Sequence, residues 1–194
     1  MSTKLKIAAA VAAAVLLSAC SSPKHEPMPL VKFTPSMEVT EVWSKGLSSA
    51  EGFLVPAVYD DMVFAAGGKT LTRLNARTGE TEWSVSFNSP ITGGVGSDGY
   101  VTAVGLWDGN LEVVDAEGKV SWEKKLTTEL ASPPVVSHGL VIARTMDTRV
   151  SAFEASSGEL QWTYQRSQPA LTVRLPTRML AHDNFLLVGQ PNGH

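Results

Sequence analysis

Four tryptophans recur along the chain at a nearly constant step. Trp43, Trp83, Trp122 and Trp162 are separated by 40, 39 and 40 residues, and Trp107 alone among the five stands outside the series. Gly79, Gly118 and Gly158 keep the same step, each four residues before its tryptophan. The wording around them also repeats, as LNARTGETEW at 74–83, VVDAEGKVSW at 113–122 and AFEASSGELQW at 152–162. A period of this length marks a unit of supersecondary structure that is stable only when stacked on its own copies.

Inside each unit the apolar residues alternate with period two rather than 3.6, which predicts strands. The runs MVFAAG (62–67), YVTAVG (100–105) and LVIART (140–145) follow the turn pairs Asp60-Asp61, Asp98-Gly99 and His138-Gly139. A second turn, such as Asp108-Gly109 or Met146-Asp147, leads into LTRLNA, LEVVDA or VSAFEA, and a glycine turn then leads into the tryptophan strand. Four short strands in about 40 residues leave no room for a helix and are the arithmetic of a β-propeller blade. The fold class expected is therefore all-β, a β-propeller of four-stranded antiparallel blades. The tryptophans would supply an apolar plate at each blade junction, and the glycines a positive φ in the last hairpin.

The expected domain body is 39–194, with a lone closing strand at 39–47 around Trp43, blades at about 54–87, 93–126 and 133–166, and a partial blade at 176–194. Three complete units and two partial ones do not close, so the expectation is part of a ring that would hold seven or eight blades when complete.

Residues 1–19 read as a targeting segment. Lys4 and Lys6 precede the apolar run from Ile7 to Leu17, which at 11 residues falls short of the roughly 20 needed to span a bilayer. Leu17-Ser18-Ala19-Cys20 resembles a lipobox, which implies cleavage before Cys20 and a diacylglycerol on its sulfur. Cys20 is the single cysteine, so no disulfide within the chain is possible. Ser21 stands where lipoproteins kept in the inner membrane resemble one another in carrying Asp, so the outer membrane, facing the periplasm, is the expected location. Residues 20–38, with four prolines, read as an extended tether.

The charge balance excludes some classes of partner. Lys and Arg number 16 against 19 Asp and Glu. Removing 1–19 takes two lysines and no acids, giving 14 − 19 = −5. No basic face of the kind that neutralises phosphates is present in this pattern. Gly94-Val95-Gly96-Ser97-Asp98-Gly99 matches the dinucleotide fingerprint by letter, but a hairpin and a strand should follow it rather than the required helix. His25, His138, His182 and His194 lack the paired spacing of a zinc site. Neither a metal nor a cofactor is expected.

The three glycine–tryptophan phrases resemble the PQQ-like repeat, apolar-Asp/Asn-Ala-x-x-Gly-x-x-x-Trp, with one residue fewer in the turn of the second copy. Together with the lipobox and the proline-rich tether, they are similar to the BamB family of outer-membrane assembly lipoproteins. That resemblance implies a non-catalytic scaffold of the outer-membrane β-barrel assembly machinery, supporting insertion of outer-membrane proteins and binding the periplasmic domains of a BamA-like subunit. The family's Leu-x-Leu-Arg loop matches Leu171, Val173 and Arg174 within YQRSQPALTVRLPTRM (164–179), with Val173 in place of Leu and Leu175 where Gly is common. Nascent outer-membrane proteins are a further possible partner by the same resemblance. The alternative is a PQQ-dependent (quinoprotein) dehydrogenase, since those enzymes use the same repeats; many carry a vicinal cysteine pair, and this chain has one cysteine.

Overall fold

The computed structural model describes residues 36–49, 52–166 and 177–189. The chain divides into a unit over Met1–Thr40 and a larger one over Glu41–His194, which holds the strands. Its regular elements are strands, beginning with a two-residue β1 (Phe53–Leu54). The first sheet runs β2 (Ala57–Tyr59), β3 (Met62–Gly67), β4 (Thr70–Asn75), β5 (Thr81–Ser86). The second runs β6 (Ile91–Ser97), β7 (Thr102–Leu106), β8 (Asn110–Val114), β9 (Val120–Lys125), and the third β10 (Val135–Ser137), β11 (Leu140–Arg144), β12 (Val150–Glu154), β13 (Leu160–Tyr164). A hairpin of β14 (Leu180–His182) and β15 (Phe185–Leu187) follows. Each four-strand set is antiparallel in sequence order, the up-and-down meander of a propeller blade.

Turn chemistry explains the first hairpin of each unit. Asp60, His138 and Asp183 sit at φ 48°, 52° and 48°, a left-handed conformation that Asp, Asn and His tolerate better than other side chains. In the second sheet Asp98 adds a cap, its Oδ1 accepting the Tyr100 and Val101 amides at 3.0 Å each. Those bonds delay the strand expected from Tyr100, and β7 starts at Thr102. The glycine run that spells a dinucleotide fingerprint lies in β6 and in the following turn, and the next regular element is a strand.

Burial on both faces is what holds the sheets together. One cluster joins Phe64, Ala66, Leu71 and Phe87 of the first sheet region to Ile91, Val95, Val104, Leu106 and Val114 of the second. A second cluster joins Ala103, Leu111 and Val113 to Val136, Val141, Ala143 and Phe153 of the third, with Leu130 between them. The third gathers Ile142, Val150, Ala152 and Met179, with Leu186 of β15 against it. Each fully buried Val, Leu or Phe contributes about 1.5–3 kcal/mol, so a blade face contributes most where it is covered by the next.

Two features differ from expectation. Leu54, expected in the first blade, pairs with Gly94 in a parallel extension of the second sheet, because Val55 exchanges backbone hydrogen bonds with Gly94 and Val95 at 2.7 and 2.8 Å. Residues 39–47, expected as a strand, have no sheet pairing, since none of the described strands lies beside them as a ladder partner. Trp43 in that segment nonetheless docks as its repeats do.

Candidate functional site

The repeated glycine and tryptophan meet across blades, not within one. Trp43, Trp83 and Trp122 each send their indole onto the glycine turn of the following unit. A Cβ built on Gly79, Gly118 or Gly158 would stand 2.6, 2.8 and 2.7 Å from Cδ2 of Trp43, Trp83 and Trp122 respectively. Each Nε1–H donates to a carbonyl in the same turn, of Ala76, Ala116 and Ala155, at 2.9, 2.9 and 2.8 Å. The glycines have φ of 72°, 81° and 70°, so a side chain is excluded twice, by backbone conformation and by the ring above. Arg73 also reaches the second turn, its Nη1 donating to the Ala116 carbonyl at 3.0 Å. Trp162, the last of the series, is 38% exposed.

The residue expected to be lipidated, Cys20, and those expected to touch a partner, Leu171, Val173 and Arg174, lie outside the described residues. What the structure does describe is the root of that inter-blade segment. The β11–β12 hairpin holds both sides: Thr148 Oγ1 donates to the Arg166 carbonyl at 3.3 Å, and Arg144 Nη1 donates to Thr177 Oγ1 at 2.6 Å. Arg144 is 5% exposed, and burial pulls its guanidinium below the ordinary arginine value. Arg144 and Thr148 carry no sequence signal of this role beyond lying in the hairpin on the same side of the blade.

Next to each tryptophan, a polar pair sits across the last two strands of the blade. Thr72 meets Ser84 and Ser151 meets Thr163 through hydroxyl hydrogen bonds of 3.1 and 3.2 Å, while the matching pair in the second blade is Glu112 opposite Glu123. The hydroxyl pairs line cavities of about 200 and 290 Å³ together with a lysine two residues after the preceding tryptophan, Lys45 in one and Lys124 in the other. At the second blade that position is Val85, packed into the apolar cluster. Glu112 is 6% exposed, and its carboxyl is pushed up to about 7 by burial first, then by the charges of Glu123 and Asp108 and a hydrogen bond with Glu123.

Residues 67–194 match the family model described as outer membrane protein assembly factor BamB. The chain belongs to this family. Among curated relatives, the outer membrane protein assembly factor BamB of Burkholderia pseudomallei is 37% identical over 95% of this chain and 50% of its own length. That of Bordetella pertussis is 33% identical over 91% of this chain and 48% of its own. The chain thus spans about half the length of the curated relatives it matches. Among solved structures, BamB from Moraxella catarrhalis superposes with a TM-score of 0.57 at 27% identity, over 67% of this chain and 39% of that one. A quinohemoprotein alcohol dehydrogenase from Pseudomonas putida superposes at 0.52 with 22% identity over 62% of this chain and 21% of that one, a likeness of fold alone.

The BamB family and the dehydrogenases share blades, so the distinction rests on side chains. Bound quinone with Ca²⁺ calls for a cluster of acidic and amide ligands. Among the described residues no group of three His, Cys, Asp or Glu side chains is placed to hold a metal ion, and His138 and His182 lie in separate hairpins. The acidic residues that do come together, Glu112 and Glu123, are opposite each other on β8 and β9, the first buried and the second exposed.

Proposed function

We propose that the protein acts as a non-catalytic scaffold in assembly of outer-membrane β-barrel proteins, held to the outer membrane by acylated Cys20 on its periplasmic side. In this reading the inter-blade segment containing Leu171, Val173 and Arg174 engages the periplasmic domains of a BamA-like subunit, and nascent barrel proteins are a second partner. The observation that carries the reading is the match of 67–194 to the assembly-factor family. It is supported by the lipobox at 17–20 and by apolar side chains alternating with arginines in the segment after the third blade. Apolar anchors beside Arg are the residue types that concentrate binding energy at interfaces. A lipid anchor would raise the effective concentration of this surface near a membrane-embedded partner.

The deciding experiment combines Leu171→Ala with Arg174→Glu and measures pull-down of the purified barrel-assembly subunit, with PQQ and Ca²⁺ binding followed calorimetrically in parallel. Truncating an apolar anchor and reversing a charge should cost about 2–5 kcal/mol of binding when both are buried by the partner. The reading fails if wild-type protein binds PQQ with Ca²⁺ and oxidises an alcohol or sugar. The residue assignment fails if pull-down survives while the melting point drops.

A further inference from the structure

We propose that the junction between the first and second blades is a proton-operated latch, in which Glu112, buried on β8 opposite Glu123 of β9, holds a proton whose loss loosens the packing of the two sheets. The two residues are in direct register. Glu112 lies on the Val114 face of β8 and is also paired with Val104 of β7, and both valines belong to the cluster that joins these two blades. The first blade contributes Phe64, Leu71, Trp83 and Val85 to that cluster.

The charges around the pair do not relieve it. Asp108, in the β7–β8 hairpin, adds a third acid, while the Lys125 ammonium donates to the Asp108 backbone carbonyl. Arg73, the cation on the facing side of the first blade, donates to the Ala116 carbonyl and pairs with Glu82 at 2.6 Å. The other two junctions place a lysine, Lys45 or Lys124, beside a hydroxyl pair that does not titrate, whereas this one places Val85 beside the pair that does. Glu112 is buried on this face while Glu123 opposite it is exposed, and a buried carboxyl facing a second acid ionises at a cost, so the proton stays on Glu112.

The sign follows from Glu112, whose folded value of about 7 exceeds the ordinary 4.5. Between those values the folded chain holds a proton that the unfolded chain has released, so stability falls as pH rises through that window. At higher pH the folded state carries a buried Glu112 carboxylate, and the junction is weakest.

The test is a carboxyl ¹³C NMR titration of the full 194-residue chain alongside its melting temperature from about pH 5 to about pH 8.5. Wild type should show one carboxyl titrating near 7 and a melting temperature that falls across that range. Glu112→Gln should flatten the fall, and Val85→Lys, which supplies the lysine of the neighbouring junctions, should lower the carboxyl midpoint by about one pH unit or more. The latch is overturned by a Glu112 midpoint below about 5, or by an unchanged melting profile in Glu112→Gln. If that variant does not fold, the wild-type titration and Val85→Lys decide alone.

Discussion

The indole of Trp83 occupies the space that a side chain on Gly118 would need, and its Nε1–H is bonded to the Ala116 carbonyl two residues before that glycine. The same pairing joins Trp43 to Gly79 and Trp122 to Gly158. Each blade therefore reads its neighbour through an apolar plate and a directional hydrogen bond, and both partners come from the same repeated phrase one unit apart.

Substituting the glycine tests the fit. Gly118→Ala must accommodate a methyl 2.8 Å from the ring at a φ of 81°. Gly139→Ala meets the same backbone problem at φ 72° with nothing within 4 Å. The backbone conformation alone should cost about 1–2 kcal/mol in each, and displacement of the ring should add about 1–3 kcal/mol at Gly118 only. Urea unfolding of the two variants side by side measures the difference; equal losses would mean that the ring does not press on the turn.

The hydrogen bond can be separated from the plate by Trp→Phe. In Trp83→Phe the Ala116 carbonyl keeps Arg73 as donor at 3.0 Å. In Trp122→Phe the Ala155 carbonyl loses the side-chain donor that held it at 2.8 Å. Both variants lose part of a ring, but Trp122→Phe should be the more destabilising by about 1 kcal/mol, the usual difference between a satisfied and an orphaned carbonyl. A larger loss in Trp83→Phe would contradict this division of roles.

The period of the tryptophans was enough to expect blades, because a repeat of this length in a period-two sequence has few other solutions. Hairpins at Asp60-Asp61 and His138-Gly139 were legible since their residue types tolerate the left-handed turn found there. The partner of each tryptophan was not, because a ring docked 33 residues ahead leaves no mark in its own repeat. Glu112 was equally hidden. Alternation in NLEVV suggests one wet face, yet β8 is covered on both sides by adjoining blades, so the polar position is buried too. The parallel contact of Leu54 with β6 is made by backbone groups, which no side-chain pattern encodes.

The anchor is tested apart from the fold. Cys20→Ser should abolish palmitate labelling and leave the precursor uncleaved, while a soluble form lacking 1–20 should melt at the same temperature as the lipidated protein, because the strands and the three apolar clusters between them lie beyond Thr40. Labelling that persists in Cys20→Ser would overturn the assignment of the lipid to Cys20.

The final prediction concerns the root of the proposed partner segment. Arg144 is a buried cation whose described partner is a neutral hydroxyl, Thr177 Oγ1, at 2.6 Å, and its Nε has no hydrogen-bond partner among the described residues. Burying such a charge costs more than a single neutral hydrogen bond returns, so a residue of this kind is not explained by blade stability. Arg144→Met keeps an apolar stem opposite Val150 of the third cluster and should change the melting temperature little in either direction. It should, however, release Thr177 from the hairpin. The expected result is faster trypsin cleavage after Arg166 or Arg174, and pull-down of the assembly partner weakened by about fivefold or more, on the order of 1 kcal/mol, without unfolding. Arg144→Lys should recover part of both, since an ammonium can still reach a hydroxyl but lacks the planar fork of donors. Should Arg144→Met instead melt well below wild type with cleavage spread along the whole chain, Arg144 would be a stability element of the third blade, and the segment at 167–176 would owe its presentation to other contacts.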